Sequence, residues 1–147
     1  MKVYFSPGEA CRSAIINEIK NAKQQLKICV FTISDDKITH AILEAHRRKV
    51  AISIITDNDK TLDVGSDIEV FSKNGIQVKM DMTTNHMHHK FMIADGRTVI
   101  TGSYNWTNSA ARYNQENIII TQEKEAIKSF VSEYDRLWGI MAEYLIK

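Results

Sequence analysis

Breakers and cross-linkers are scarce in these 147 residues: one proline, six glycines and two cysteines. So little Pro and Gly excludes collagen-like and low-complexity classes. Cys11 and Cys29 are too few for a disulfide framework and lack metal-binding spacing, so both are expected to be reduced core residues. An excess of one charge is also missing. Nineteen Lys and Arg against eighteen Asp and Glu leave a net charge of +1, so any footprint for a polyanion must be local. No apolar run is long enough to span a membrane. Met1 leads directly into the strand-like Lys2-Val3-Tyr4-Phe5, so this stretch carries no signal peptide and the expectation is a cytoplasmic protein, with a removed leader or anchor left open. With 44% hydrophobic and 25% charged residues and no internal repeat, the chain reads as one globular domain over 1–147.

Its periodicities alternate between strand and helix. Lys2 to Phe5 reads as a strand, and Ser6-Pro7-Gly8 turns it into a helix carrying Cys11, Ile15, Ile19, Ala22 and Leu26 on one face. Lys27 to Ile33 is a β-rich run of the kind buried on both faces. Ser34-Asp35-Asp36 supplies a cap and an acidic first turn for a second helix, with Ile38, Ala41, Ile42 and Ala45 inward. Val50 to Thr56 is a third strand and Asp57 to Gly65 a polar turn. Ser66-x-x-Glu69 resembles a capping box for a short helix ended by Asn74-Gly75. Ile76 to Met80 and Glu116 to Thr121 are further strands, and 121–147 forms a terminal helix that Gly139 could kink. This order predicts an α/β fold: a mixed, largely parallel β-sheet flanked by helices on both faces.

The densest chemistry lies between His88 and Asn105, HHKFMIADGRTVITGSYN. His88 and Lys90 are two apart in a β-prone segment and so share a face, while His89 and Phe91 take the other. Asp95-Gly96 signals a tight turn, and the return strand through Thr98 to Thr101 delivers Gly102, Ser103 and Asn105 back beside His88. An imidazole, an ammonium, a hydroxyl and a carboxamide at one spot suit a tetrahedral anion.

The spacing His88-x-Lys90-x4-Asp95-x6-Gly102-Ser103-x-Asn105 resembles the signature of the phospholipase D superfamily, with every fixed position matched. Together with Asn114-x-Glu116-Asn117, it is most similar to the small single-motif members: bacterial endonucleases and the animal mitochondrial enzyme. The resemblance implies that His88 attacks phosphorus to form a phosphohistidine while Lys90, Ser103 and Asn105 hold the phosphate, with no cofactor. Glu116 matches the acid that hydrogen-bonds the nucleophilic histidine and fixes its tautomer. Asp95 matches the motif aspartate, but its turn position suggests structural support. A histidine that has become the nucleophile cannot also protonate the leaving oxygen. Larger members carry two motifs in one chain and this chain carries one, so a two-fold homodimer sharing one active site is expected.

Other candidates carry less. His86 lies on the face of His88 and is placed along a substrate groove. Tyr104 and Tyr113 are candidates for stacking a base. Phe91 and Trp106 read as core, His40 and His46 as surface or packing residues, and Arg47-Arg48-Lys49 as a solvated helix end. His86, His88, His89 and Asp81 invite a metal reading, but no second ligand cluster has recognised spacing, and the expectation is no metal. The functional expectation is a metal-independent phosphodiesterase, foremost an endonuclease acting on DNA or RNA, single strands favoured. Two alternatives stay open: a cardiolipin-type phospholipid hydrolase, and a non-catalytic nucleic-acid-binding module.

Overall fold

The apolar runs become strands of a single sheet. In the computed structural model, which describes residues 1–57 and 67–144, the first half holds β1 (Lys2–Ser6), α1 (Ala10–Asn21), β2 (Gln25–Val30), α2 (Asp36–Arg47) and β3 (Ala51–Thr56). After residue 66 come α3 (Ile68–Lys73), β4 (Gln77–Met80), β5 (Lys90–Ala94), β6 (Thr98–Gly102) and α4 (Asn108–Arg112). The chain closes with β7 (Glu116–Thr121), α5 (Lys124–Ile140) and β8 (Ala142–Glu143). Asp35 caps α2 by accepting the Lys37 N–H at 2.9 Å, as its position before an apolar periodic run predicts. The expected Ser66 cap of α3 and most of the Asp57–Gly65 turn lie outside the described residues.

The strand order is β1-β7-β6-β5-β2-β3-β4-β8. The sheet is mixed and helices cover both faces, as expected, but its parallel part is smaller than "largely parallel". Among the described residues, the strand pairs β2–β3 and β3–β4 are parallel and the other five strand pairs are antiparallel. The reason is that β1 does not join the βαβ unit that follows it, but pairs with β7, more than a hundred residues away. Boundaries also move, and β2 ends at Val30 rather than Ile33. Leu26, placed on the first helix by its spacing, belongs to β2, where it pairs with Ile52 and Ala94. The terminal helix ends at Ile140, and Ala142–Glu143 turns back to pair with β4.

Two cores result. On one face Ile15 and Ile19 of α1, Ile38 and Ile42 of α2 and Phe71 of α3 pack on Leu26, Ile28, Ile54 and Met92. On the other, Ile127, Tyr134 and Leu137 of α5 pack on Cys29, Ile55, Phe91 and Val99. Cys11 and Cys29 are buried and free, one in each core, and Trp106 and Phe91 are buried as expected.

Candidate active site

One end of the sheet collects the motif. Lys90 opens β5 opposite Val30, the last residue of β2. Gly102 closes β6 and delivers Ser103, while Glu116 opens β7 opposite Ser6 at the end of β1. The parallel strands β2 and β3 also point their carboxyl ends here, the customary place for ligands in open α/β sheets.

His88 lies just before β5 rather than within it, and strand-like alternation survives in part: His89 is exposed too, though it turns toward Phe91 and Glu133. Phe31 N–H donates to the His89 carbonyl at 2.8 Å, Met87 is buried and His86 and His88 are exposed. Lys90 Nζ lies 2.8 Å from His88 Nδ1 and donates to the His88 carbonyl at 2.8 Å. An ammonium can only donate, so Nδ1 acts as acceptor and the ring is the neutral imidazole. Partial desolvation, then the charges of Lys90 and His86, lower the His88 pKa below the ordinary imidazole value, against an opposing pull from Asp57. Desolvation also lowers Lys90, while Glu116 works to raise it. The Phe31 ring tilts against His88 with centroids 4.6 Å apart, and Lys90 Nζ sits 5.6 Å from its centre.

The return strand fixes the other donors. Asn105 Oδ1 accepts the Thr32 N–H at 3.2 Å, which leaves its NH2 end to donate. Ser103 is locked to β7: its N–H donates to the Asn117 carbonyl at 3.0 Å, and its Oγ accepts the Asn117 N–H at 3.1 Å. Gly102 is required by this closeness, since a Cβ there would stand 2.0 Å from the Asn117 carbonyl oxygen. Glu116 does not make the expected bond to His88. Its carboxylate accepts from Asn114 Nδ2 at 3.4 Å and reaches the site as a charge acting on Lys90.

Asp95 stands at the opposite end of β5, about 16 Å along the strand from Lys90 at ~3.3 Å per residue. With Gly96 it forms the predicted tight turn, both residues at positive φ (54° and 62°). Its carboxylate accepts backbone N–H groups of Lys23, Gln24 and Gln25. Burial works to raise its pKa, but the bonds from Gln25, Lys23 and Gln24 outweigh this and hold it below the usual carboxylate range. Asp95 is thus a joint between the α1–β2 connection and the hairpin. Asp95→Ala is expected to lower stability by about 1–3 kcal/mol, since three donors lose their acceptor, while phosphate affinity stays within twofold. Denaturant titration beside phosphate binding checks this. Because the folded pKa is depressed, the Asp95 contribution is present above the unfolded carboxylate pKa and lost as pH falls through the folded value.

Tyr104 is 1% exposed and cannot stack a substrate base; alternation that turns Ser103 and Asn105 outward sends Tyr104 into the core. Its phenol is pushed up to about 12 by burial and Asp35, against Arg12. Tyr113 is 73% exposed. His86 is half-exposed, 3.4 Å from Asp57 Oδ2. Asp57, fully buried, accepts the Met87 N–H at 2.7 Å and thereby anchors the segment bearing His88. In the sequence Asp57 looks like a turn residue and Phe31 like part of a buried run; an acid immediately after a buried strand is the one signal of the former. Among the described residues no three His, Cys, Asp or Glu side chains form a metal-ligating cluster, Asp81 included. Beside His88 a groove of about 350 Å³ runs between the 81–89 segment and the end of α5, with Met82, Met87, Leu137, Ile140 and Met141 among its walls.

Fold and motif together define a mixed α/β domain with a single histidine–lysine centre at one end of its sheet. The family model described as cardiolipin synthase, PLD-like domain, matches residues 15–138, and the chain belongs to this family of the phospholipase D superfamily. It is 44% identical over 136 residues to the mitochondrial cardiolipin hydrolase of Chlamydomonas reinhardtii, covering 92% of this chain and 61% of that relative. Against the human mitochondrial cardiolipin hydrolase it is 38% identical, covering 89% and 52%. The chain thus spans between half and two thirds of the length of these relatives. Among solved structures, Nuc from Salmonella typhimurium, a phospholipase D family member, superimposes with a TM-score of 0.91 at 25% identity, covering 99% of this chain and 97% of that one.

Proposed function

We propose that the protein is a phosphodiesterase in which His88 attacks phosphorus, in a homodimer whose two copies share one active site. The observation that carries this reading is the contact of Lys90 Nζ with His88 Nδ1. It places a neutral imidazole and a cation within reach of one phosphate. An incoming phosphodiester draws the ammonium onto its oxygens, with Ser103 and Asn105 as further donors. A ring nitrogen of His88 then bonds to phosphorus as the bond to the leaving oxygen breaks. The partner copy's histidine, in its imidazolium form, protonates that oxygen; left neutral, it then takes a proton from the water that cleaves the phosphorus–nitrogen bond and so returns to the imidazolium. Phe5 and Tyr113, 66% and 73% exposed at or near the motif end of the sheet, provide apolar surface for the second copy. Glu116 serves to keep Lys90 charged and, once Lys90 has turned to phosphate, to orient His88. No bound metal or cofactor enters the scheme.

Nucleic acid is the substrate class we favour, since the single motif with Asn114-x-Glu116-Asn117 is most similar to that of small members that include bacterial endonucleases. One observation favours a second reading, a cardiolipin-type phospholipid: the groove beside His88 sets Met82, Leu137, Ile140 and Met141 next to His86, His88 and His89, so an acyl or glyceryl segment would have an apolar wall beside the imidazoles. With excess EDTA, labelled single- and double-stranded DNA and RNA and cardiolipin vesicles distinguish the two. Cleavage of strands without lipid turnover supports the first reading, and the converse the second. Failure on both overturns the two substrate readings.

The charge of Lys90 also contributes to the pH profile. Desolvation and, after it, the charge of Lys90 lower the His88 pKa, so the acid limb of kcat/KM is expected below the ordinary imidazole pKa of about 6.5. Lys90→Met should move that limb upward and lower kcat by roughly 10²–10³-fold. An unmoved limb in the variant contradicts the assignment.

A further inference from the structure

We propose that Arg12, on α1 and remote from the motif in sequence, is a positioning residue that sets Asn105 for phosphate binding; this rests on the reading of the site given above. Arg12 and Asp35 are each 3% exposed, with Nε and Oδ2 2.9 Å apart. Burying an ion pair costs desolvation that pairing only offsets, so stability alone does not account for it. What the pair holds is the frame around Asn105. Asp35 ends the turn whose Ser34 and Asp35 N–H groups donate to the Trp106 carbonyl at 2.9 and 3.0 Å, while Trp106 N–H returns to Thr32 at 3.1 Å. Thr32 is the residue whose N–H grips Asn105 Oδ1. On the other side of Asn105, Arg12 Nη2 donates to Asn108 Oδ1 at 2.8 Å, at the start of α4. One guanidinium therefore fastens both the turn that grips Asn105 and the chain that carries it. Its planar fork can do this and an ammonium cannot.

The test is a double-mutant cycle read on binding of inorganic phosphate. Arg12→Met and Asn108→Ala, the latter removing one bond while leaving the buried pair in place, are each combined with Asn105→Ala. Asn105→Ala is expected to weaken phosphate binding by about tenfold, as for loss of one hydrogen bond to a charged group. Arg12→Met should weaken it by about tenfold and Asn108→Ala by about threefold alone, and each by less than about twofold once Asn105 is alanine. Turnover should follow, with kcat lowered more than KM is raised. Should Arg12→Met fail to fold, the Asn108→Ala cycle decides alone. Equal losses with and without Asn105, or none in a folded variant, overturn the inference. Unchanged phosphate binding in Asn105→Ala overturns the reading of the site itself, and the inference with it.

Discussion

His88→Ala is expected to lower phosphodiester turnover by at least about 10⁴-fold while the protein stays folded. The side chain is exposed, so removing it leaves no cavity and strands no buried partner, and stability should change by less than about 0.5 kcal/mol. Catalysis has no such tolerance. Without the imidazole no covalent intermediate forms, and the surviving donors of Lys90, Ser103 and Asn105 bind phosphate without a nucleophile. Removing one member of a catalytic unit typically costs nearly as much as removing all of them. Phosphate affinity should therefore fall far less than kcat, by under about tenfold. Steady-state turnover beside phosphate titration measures both. Equal losses in the two would mean that His88 only binds.

Gly102→Ala is expected to have the largest effect on stability. A Cβ at this position would stand 2.0 Å from the Asn117 carbonyl oxygen and 2.8 Å from both the Asn117 carbonyl carbon and Ile118 Cα, all backbone atoms of a paired strand. No rotamer change relieves such an overlap, so β6 and β7 must separate at the site. Overpacking of this kind costs about 3 kcal/mol or more, a large share of the roughly 5–15 kcal/mol that holds a domain folded. Whatever folds should also bind phosphate weakly, because Ser103 depends on its two bonds to Asn117. Gly139→Ala is the control. Nothing lies within 4 Å of a Cβ there, the residue is helical, and alanine should be neutral or stabilising by up to about 1 kcal/mol. Urea titration of both variants checks the contrast.

What could be read from the sequence was local. The Asp95-Gly96 turn, the Asp35 cap and the shared face of His88 and Lys90 depend on residues within a few positions of one another, and short-range sterics decide them. The sheet order depends on a choice of partner that a strand's own pattern does not encode. Lys2 to Ser6 alternates as well for a parallel neighbour as for β7, which it joins at a distance of more than a hundred residues. Leu26 misled because its spacing from Ala22 fits a helix, whereas pairing on both sides draws it into β2. In the site the motif located the donors, but not what holds them. Tyr104 stands between two outward residues and alternates inward. Asp57 and Arg12, far from the motif in sequence, act through backbone and side-chain contacts that only the folded chain brings together.

The most direct test of the central claim uses the wild-type protein, excess EDTA and an internally ³²P-labelled substrate, quenched during turnover. The expected result is label covalently bound to protein, stable in base and labile in acid, mapping to His88 and absent from His88→Ala. Turnover that proceeds at an undiminished rate with no label on the protein would contradict it.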